Sequence, residues 1–390
     1  MTALFALLGA ALFTSTAQVA GLAAAGTRLW AATGGGVEEY DLATGRRVRL
    51  YEMGPVQRIW SFDQIVHART QSAECVLEGG AFRCAAAPPL PAPVPSVAPL
   101  FHGARETGRL TVAGKTVVAT DGAGIWSNDQ MLTPAGQICG NHVQALAEFK
   151  GALWVGAFDG GLCVLEGDRF RAVPAPFRMI NDLRRTPRGL YVAAAEGLFV
   201  TRDGRTFRRE RRVRERGPNR LAASKRWLFV TTPAVLYALR LDGRDVVRRF
   251  RHPAGSTALQ AVAVIGRDVW LASEDSGVIR MRGETFESFD RASGLPSSWT
   301  VDVAPASDGG VWAATLRNGA VHLRRDGSVR ELSADPHAWG LRLYDDGGRL
   351  LFGTQQGLEG VADLPDPHVH ALLRTGAGLW IGTEGGLLLR

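Results

Sequence analysis

Apolar and polar positions alternate along this chain in runs of four or five residues, each cut off by Gly, Asp or a small polar cluster. Residues 143–173 show the pattern most plainly. Val143-Gln144-Ala145-Leu146 is followed by a turn at Lys150-Gly151, and Leu153-Trp154-Val155-Gly156 by a turn at residues 158–161. Leu162-Cys163-Val164-Leu165 then closes at Glu166-Gly167-Asp168 before Phe170-Arg171-Ala172-Val173. Period-two runs of this length, bounded by residues that tolerate positive φ, predict antiparallel strands joined by tight hairpins. No window beyond the N-terminus sustains a 3.6-residue apolar period, so helices are not expected.

The same phrase recurs ten times, most clearly at Leu29-Trp30-Ala31-Ala32-Thr33, Leu153-Trp154-Val155-Gly156-Ala157, Val269-Trp270-Leu271-Ala272-Ser273, Val311-Trp312-Ala313-Ala314-Thr315 and Leu379-Trp380-Ile381-Gly382-Thr383. Weaker copies centre on Val66, Val117, Tyr191, Phe229 and Leu351. A four-strand unit repeated at this spacing predicts an all-β propeller, because one blade cannot bury both of its faces. The small residues after each Trp let neighbouring blades approach, while the large ring fills the wedge between them. The expected units span 19–51, 56–86, 104–133, 143–174, 179–213, 218–251, 258–289, 299–332, 339–362 and 368–390, with a Pro-rich insertion at 88–99. The expected architecture is a single propeller over 18–390 with nine to ten blade-like units, the ninth short of a fourth strand and the tenth incomplete. A seven-bladed ring with a three-blade remnant is the alternative, set aside because three blades cannot close. The terminal units are expected to meet through packed faces, with Trp30 and Trp380 near the seam.

Several units extend the phrase. Gly294-Leu295-Pro296-Ser297-Ser298-Trp299-Thr300-Val301-Asp302-Val303 precedes Asp308-Gly309-Gly310-Val311-Trp312-Ala313-Ala314-Thr315. Leu364-Pro365-Asp366-Pro367-His368-Val369-His370-Ala371-Leu372 precedes Gly378-Leu379-Trp380-Ile381-Gly382-Thr383-Glu384-Gly385-Gly386-Leu387. This pattern resembles the two-component-regulator propeller repeat. The resemblance implies an extracytoplasmic sensor propeller of the kind coupled to membrane histidine kinases and linked to polysaccharide fragments. Here no kinase, Tyr-rich module or transmembrane segment follows, so phosphorelay by this chain is not expected. Thr201-Arg202-Asp203-Gly204-Arg205-Thr206-Phe207 resembles a shortened sialidase-type Asp-box and Asp41-Leu42-Ala43-Thr44-Gly45 a quinoprotein repeat. Each occurs once and reads as a hairpin between third and fourth strands.

Residues 3–13 form an apolar stretch too short to span a bilayer, and Ser15-Thr16-Ala17 offers small residues for cleavage before Gln18. Residues 1–17 are therefore expected to be a signal peptide, placing the protein in the periplasm or outside the cell; a cap strand on the ring is the structural alternative. Cysteine placement agrees with export. A two-residue Gly79-Gly80 turn sets Cys75 directly opposite Cys84 in a non-hydrogen-bonded pair, a register that suits a cross-strand disulfide. Cys139, on the segment entering the fourth unit, and Cys163, on its third strand, are expected to form a second bridge. Four scattered cysteines without Cys-x-x-Cys spacing do not resemble a thiolate zinc site, which makes metal binding the poorer alternative.

Net charge is +7, carried by 45 basic residues of which only Lys115, Lys150 and Lys225 are lysine. The densest basic run, Arg202 to Arg226, reads as a solvated outer strand; a patch for anionic surfaces is the alternative. It lacks the aromatic interleaving of a nucleic-acid groove, so no nucleic-acid partner is expected. The ligand surface is expected at a channel mouth, with Trp60, His142, Gln144, Trp299, Trp339 and His370 as candidates and Trp299 and Trp339 as an aromatic platform for a sugar face. Inter-blade packing is the plainer role for the two tryptophans. His368 and His370 point to one face of a strand and, with His142, offer an acid–base or metal cluster. Eight histidines in the chain make such proximity cheap, and neither a metal nor a cofactor is expected; calcium held by the turn acids Asp159, Glu274, Asp275 and Glu384 is the exception left open. No catalytic motif of the nucleophile-elbow, zincin or phosphate-loop type occurs. The expectation is thus a monomeric, exported, non-enzymatic propeller with a glycan or protein partner on one face. A polysaccharide lyase or hydrolase using mouth histidines and carboxylates is the alternative.

Overall fold

The computed structural model describes residues 11–13, 15, 19–90, 100–101, 104–112, 114–121, 124–127, 130–132, 136–158, 160–242, 247–250, 258–316, 319–332, 340–361, 364 and 366–390. Its regular structure is ten antiparallel sheets, eight of four strands, one of five at residues 100–131 and one of three at residues 340–358. The fourth unit illustrates the local causes. Its strands Val143–Phe149, Ala152–Ala157, Gly161–Glu166 and Arg169–Ala172 are joined by turns in which Lys150, Gly151, Gly161 and Gly167 take positive φ. Trp154 and its counterparts Trp270 and Trp380 are buried between sheets, as their place in the repeat predicts. The third-to-fourth-strand hairpins are ordinary turns. Asp203 Oδ1 accepts the N–H groups of Arg205 and Thr206, which hold its carboxyl well below the usual carboxylate range.

Ten sheets fall within the nine to ten blade-like units expected, but they do not close into one ring. Each inter-blade core from residue 143 onward joins consecutive units, and the last one joins the tenth unit back to the fourth: Ala371, Trp380, Leu387 and Leu389 pack on Val143, Leu153, Val155 and Phe170. Residues 143–390 therefore make a closed ring of seven blades. Units one to three lie beside it as an open stack with the first unit in the middle, its core shared with the third through Leu29 and Val117 and with the second through Trp30 and Val66. The expected single ring of nine or ten blades is thus corrected to the alternative set aside above, a seven-bladed ring with three further blades: the three need not close, and they stay open.

Glycines explain why the seam between units ten and four is equivalent to the others. A β-carbon on Gly156 would lie 2.6 Å from Ile180 Cγ2 in the next blade, one on Gly353 2.7 Å from Val369 Cγ1, and one on Gly382 2.5 Å from Val143 Cγ1. These are the small positions after the large residue of each phrase, and the next blade's innermost strand occupies the space they leave.

The tenth blade gains its fourth strand from the N-terminus. Ala11–Phe13 pairs antiparallel with Leu387–Leu389, with Ala11 opposite Leu389 and Phe13 opposite Leu387. The expected seam of packed faces between terminal units is thus corrected: the chain ends share a blade, and Trp30 sits in the separate stack. Ser15 continues the attachment, its N–H donating to Asn141 Oδ1 at 2.7 Å while its carbonyl accepts from Asn141 Nδ2 at 2.6 Å. A strand from one terminus completing a blade from the other turns a packed joint into a hydrogen-bonded one.

In the second unit the hairpin register is the predicted one, with Glu78 opposite Ala81, Leu77 opposite Phe82, and Cys75 opposite and disulfide-bonded to Cys84. Cys139 and Cys163, expected to be bridged, form no disulfide. The Cys139 thiol faces the carbonyls of Gly161 and Val155, and it is the Cys139 backbone N–H that points at Cys163 Sγ, 3.1 Å away. The strand carrying Cys163 is fixed by its pairing on both sides, so the entering loop presents backbone to it rather than sulfur.

Candidate functional site

The innermost strands of the seven blades line a central cavity of about 400 Å³, walled by Leu146, Asp182, Arg220, Val262, Asp302, Arg342 and Leu372 among others. Its charged residues follow from a repeated local device. Six of the seven innermost strands, all but that of unit six, carry a register shift near their start, and in units five and eight the residue after the shift is Asp182 or Asp302. Both carboxylates are buried and reach across a blade boundary: Asp182 Oδ2 accepts the Leu221 N–H and Asp302 Oδ2 the Leu343 N–H, each at 2.8 Å. Arg220 Nη1 donates to the Asn181 carbonyl at 2.8 Å, and Arg342 Nε lies 3.9 Å from Asp302 Oδ2. Burial, joined by the charge of Arg342, pushes the Arg220 guanidinium below the ordinary arginine range, while Asp182 and Asp302 oppose that shift. Sequence reading placed Arg220 in a solvated run. The run is in fact divided: Arg208 and Arg209 form an exposed outer strand, Arg212 pairs with Glu210 at 2.7 Å, and Arg220 enters the channel.

At one mouth of this channel the structure gathers the histidines. The starts of the innermost strands and the turns between second and third strands share that mouth, as the pairings Val143–Ala157 and Val369–Thr383 require. His142 precedes the innermost strand of unit four and His370 lies on that of unit ten, and the seven-blade closure makes these units neighbours. Their rings are 4.8 Å apart between centroids, and Phe158 lies 5.3 Å from His142. His370 Nε2 is 3.1 Å from Oε1 of Glu384 in the turn below it, and His368 Nδ1 is 2.8 Å from Asp366 Oδ1. The His370 hydrogen bond, aided by the charges of His142, His368 and His370, holds the Glu384 carboxyl below its usual range against the opposing effect of burial. One donor atom from each of His142, His370 and Glu384 lies within 4.8 Å of the other two, and the same holds for Asp366, His368 and Glu384.

Gln144 sits beside this cluster, half-buried, with its side-chain carbonyl lacking a hydrogen-bond partner among the described residues. In unit seven the corresponding pair is Gln260 and Glu274, joined at 2.6 Å, and unit ten places an imidazole where that amide stands. Trp299 opens the innermost strand of unit eight and is 43% exposed, so it does not fill an inter-blade wedge. Met179 is exposed at the equivalent position of unit five, and Phe158 is exposed in the turn after the second strand of unit four, on the same rim. Trp339 and Asp159 lie outside the described residues. Trp60 is not at this mouth: it lies on Arg58–Phe62 of the separate stack, its ring parallel to His67 at 5.3 Å. Asp366 was not singled out from sequence, although Asp-x-His spacing places a carboxylate beside a backbone N–H and an imidazole, as seen at His368.

No family model matches the chain, and no curated protein matches it. Solved structures do. The extracellular domain of a hybrid two-component-system protein of B. thetaiotaomicron aligns with a TM-score of 0.55 and 13% identity, over 93% of this chain and 54% of that one. This chain therefore spans about half the length of that neighbour. PorZ, a surface component of the type-IX secretion system of Porphyromonas gingivalis, aligns at 0.52 and 14% over 95% of this chain and 62% of its own. Virginiamycin B lyase of Staphylococcus aureus aligns at 0.53 and 14%, over 95% of its own length and 64% of this chain. At these identities the likeness is one of fold, and it is to propellers. No helix among the described residues is long and apolar enough to cross a membrane.

Proposed function

We propose that this chain is an exported, non-enzymatic, sensor-like propeller that binds a glycan or a protein partner at the histidine-bearing mouth of its seven-bladed ring. The observation that carries the reading is the composition of that one rim. Exposed Trp299, Phe158 and Met179 share it with the unpartnered Gln144 carbonyl and the His142, His370 and Glu384 cluster. Flat apolar rings beside fixed donors and acceptors suit the alternating apolar and hydroxyl faces of a sugar. The resemblance to the two-component-regulator propeller repeat, and the fold likeness to an extracellular domain of such a system, support a sensory role in the periplasm or outside the cell. A glycan array probed with the purified protein tests the reading. A hit whose binding is weakened by Trp299→Ala supports it, and a hit that is indifferent to that change moves the site elsewhere.

A second reading is favoured by one observation, the 3.1 Å contact between His370 and Glu384. A carboxylate-oriented imidazole beside an open channel is the arrangement of a general base, as a polysaccharide lyase or hydrolase requires. Chain shortening of an array hit on incubation, abolished by His370→Ala, would favour this reading over simple binding.

A further inference from the structure

We infer that the channel mouth is a metal site in which His142, His370 and Glu384 hold one divalent transition ion of the zinc class. The inference goes beyond the binding role proposed above and does not depend on it. Three separate segments supply the donors: the loop entering unit four, the innermost strand of unit ten and the turn between its second and third strands. One donor atom of each lies within 4.8 Å of the other two, so a contraction of rotamers brings all three onto an ion. Two imidazoles with one carboxylate, and no thiolate, is the donor set that suits zinc or iron(II) over calcium or magnesium, which take oxygen ligands.

The surroundings agree with that use. Asp366 and His368 place two further donors within the same reach of Glu384, available as outer partners or as additional ligands. His368 is already oriented by Asp366 Oδ1, as metal-binding imidazoles are oriented by a carboxylate on their second nitrogen. Unit seven shows what the position looks like without this chemistry: Gln260 and Glu274 form the same contact between amide and carboxylate, and no imidazole is present in the pair. The site also exists only because units four and ten are neighbours, since His142 comes from one and His370 and Glu384 from the other. The ion would lie at the channel mouth beside the exposed Phe158.

The test uses the full chain carrying Cys139→Ser and Cys163→Ser, so that free thiols do not contribute. After stripping with a chelator, the protein is titrated with Co2+ by visible spectroscopy and with Zn2+ by calorimetry. The expected result is saturable binding of one ion, Co2+ absorption of nitrogen and oxygen ligation, and displacement by Zn2+. Affinity should fall about tenfold or more in His370→Ala and in Glu384→Gln, and remain unchanged in His322→Ala, whose histidine pairs with Asp308 in another blade. Glu384 lies in a partly exposed turn, so Glu384→Gln keeps the test valid if His370→Ala fails to fold. Absence of saturable binding, or binding that both site variants leave intact, overturns the inference.

Discussion

Nε2 of His370 lies 3.1 Å from Oε1 of Glu384, two side chains fourteen positions apart that one hairpin brings face to face. The contact lowers the carboxyl, so its stabilising contribution is fully present above the unfolded glutamate value of about 4.3 and is lost as pH falls through the lower folded value. Urea unfolding across acid pH should show this limb in the native protein. Glu384→Gln should destabilise slightly at neutral pH and flatten the acid limb. An identical pH profile in the two proteins would show that the pair contributes nothing to folding.

Asp302 carries a different kind of weight. Its buried carboxylate accepts the Leu343 N–H from the next blade, and Asp302→Ala leaves that donor without its partner. The expected cost is about 1–3 kcal/mol. In a domain of this size that corresponds to a fall in melting temperature of about 2–4 °C per kcal/mol. Differential scanning calorimetry measures it, and a loss confined to the scatter of surface variants would show that water replaces the carboxylate.

Mass mapping under non-reducing conditions should find Cys75 linked to Cys84, no link between Cys139 and Cys163, and the buried Cys163 alkylated only in denaturant. A peptide joining Cys139 to Cys163 would contradict the loop conformation described above.

The N-terminal strand sets the expected export signal against the fold. Cleavage before Gln18 removes Ala11–Phe13 and with it the fourth strand of the tenth blade, together with the Ser15 contacts to Asn141. A chain that keeps these residues should melt several degrees above one that starts at Gln18, because the exposed edge of Leu387–Leu389 loses its partner. Equal melting temperatures would show that the strand adds nothing to closure.

How much of this was legible in the sequence follows from the range of the interactions. The hairpins were, because Gly79-Gly80 or Lys150-Gly151 determines register within a few residues, and the Cys75–Cys84 pairing came with it. The buried tryptophans and the small positions after them were legible for the same reason. Closure was not. Every blade presents a similar face, so nothing local states that Val143 meets Gly382 and not the third unit. The mouth was half legible: His142, His370 and Gln144 were singled out, yet their meeting depends on that closure. Trp60 was placed with them by repeat alignment, which cannot tell a blade of the ring from one of the open stack. Asp182, Asp302 and Arg220 escaped notice because an acid or a base inside a strand pattern gives no sign that it faces a channel.

The seam between units four and ten is the claim on which the site depends, and disulfide trapping tests it most directly. Val143→Cys and Gly382→Cys, in a chain whose Cys139 and Cys163 are replaced by Ser, put two β-carbons about 3.0 Å apart across the seam. A small separation of the strands, eased by the loss of the Val143 methyls, reaches a disulfide's span of about 3.5–4.5 Å. Val369→Cys with Gly353→Cys makes the equivalent pair across the undisputed seam between units nine and ten, at 2.9 Å. The seven-bladed ring predicts that mild oxidation links both pairs to a similar extent in monomeric protein, as mass mapping of the linked peptides will show. Linkage of the control pair alone, with the substituted positions 143 and 382 remaining free thiols, would contradict the seven-bladed ring and the mouth built on it.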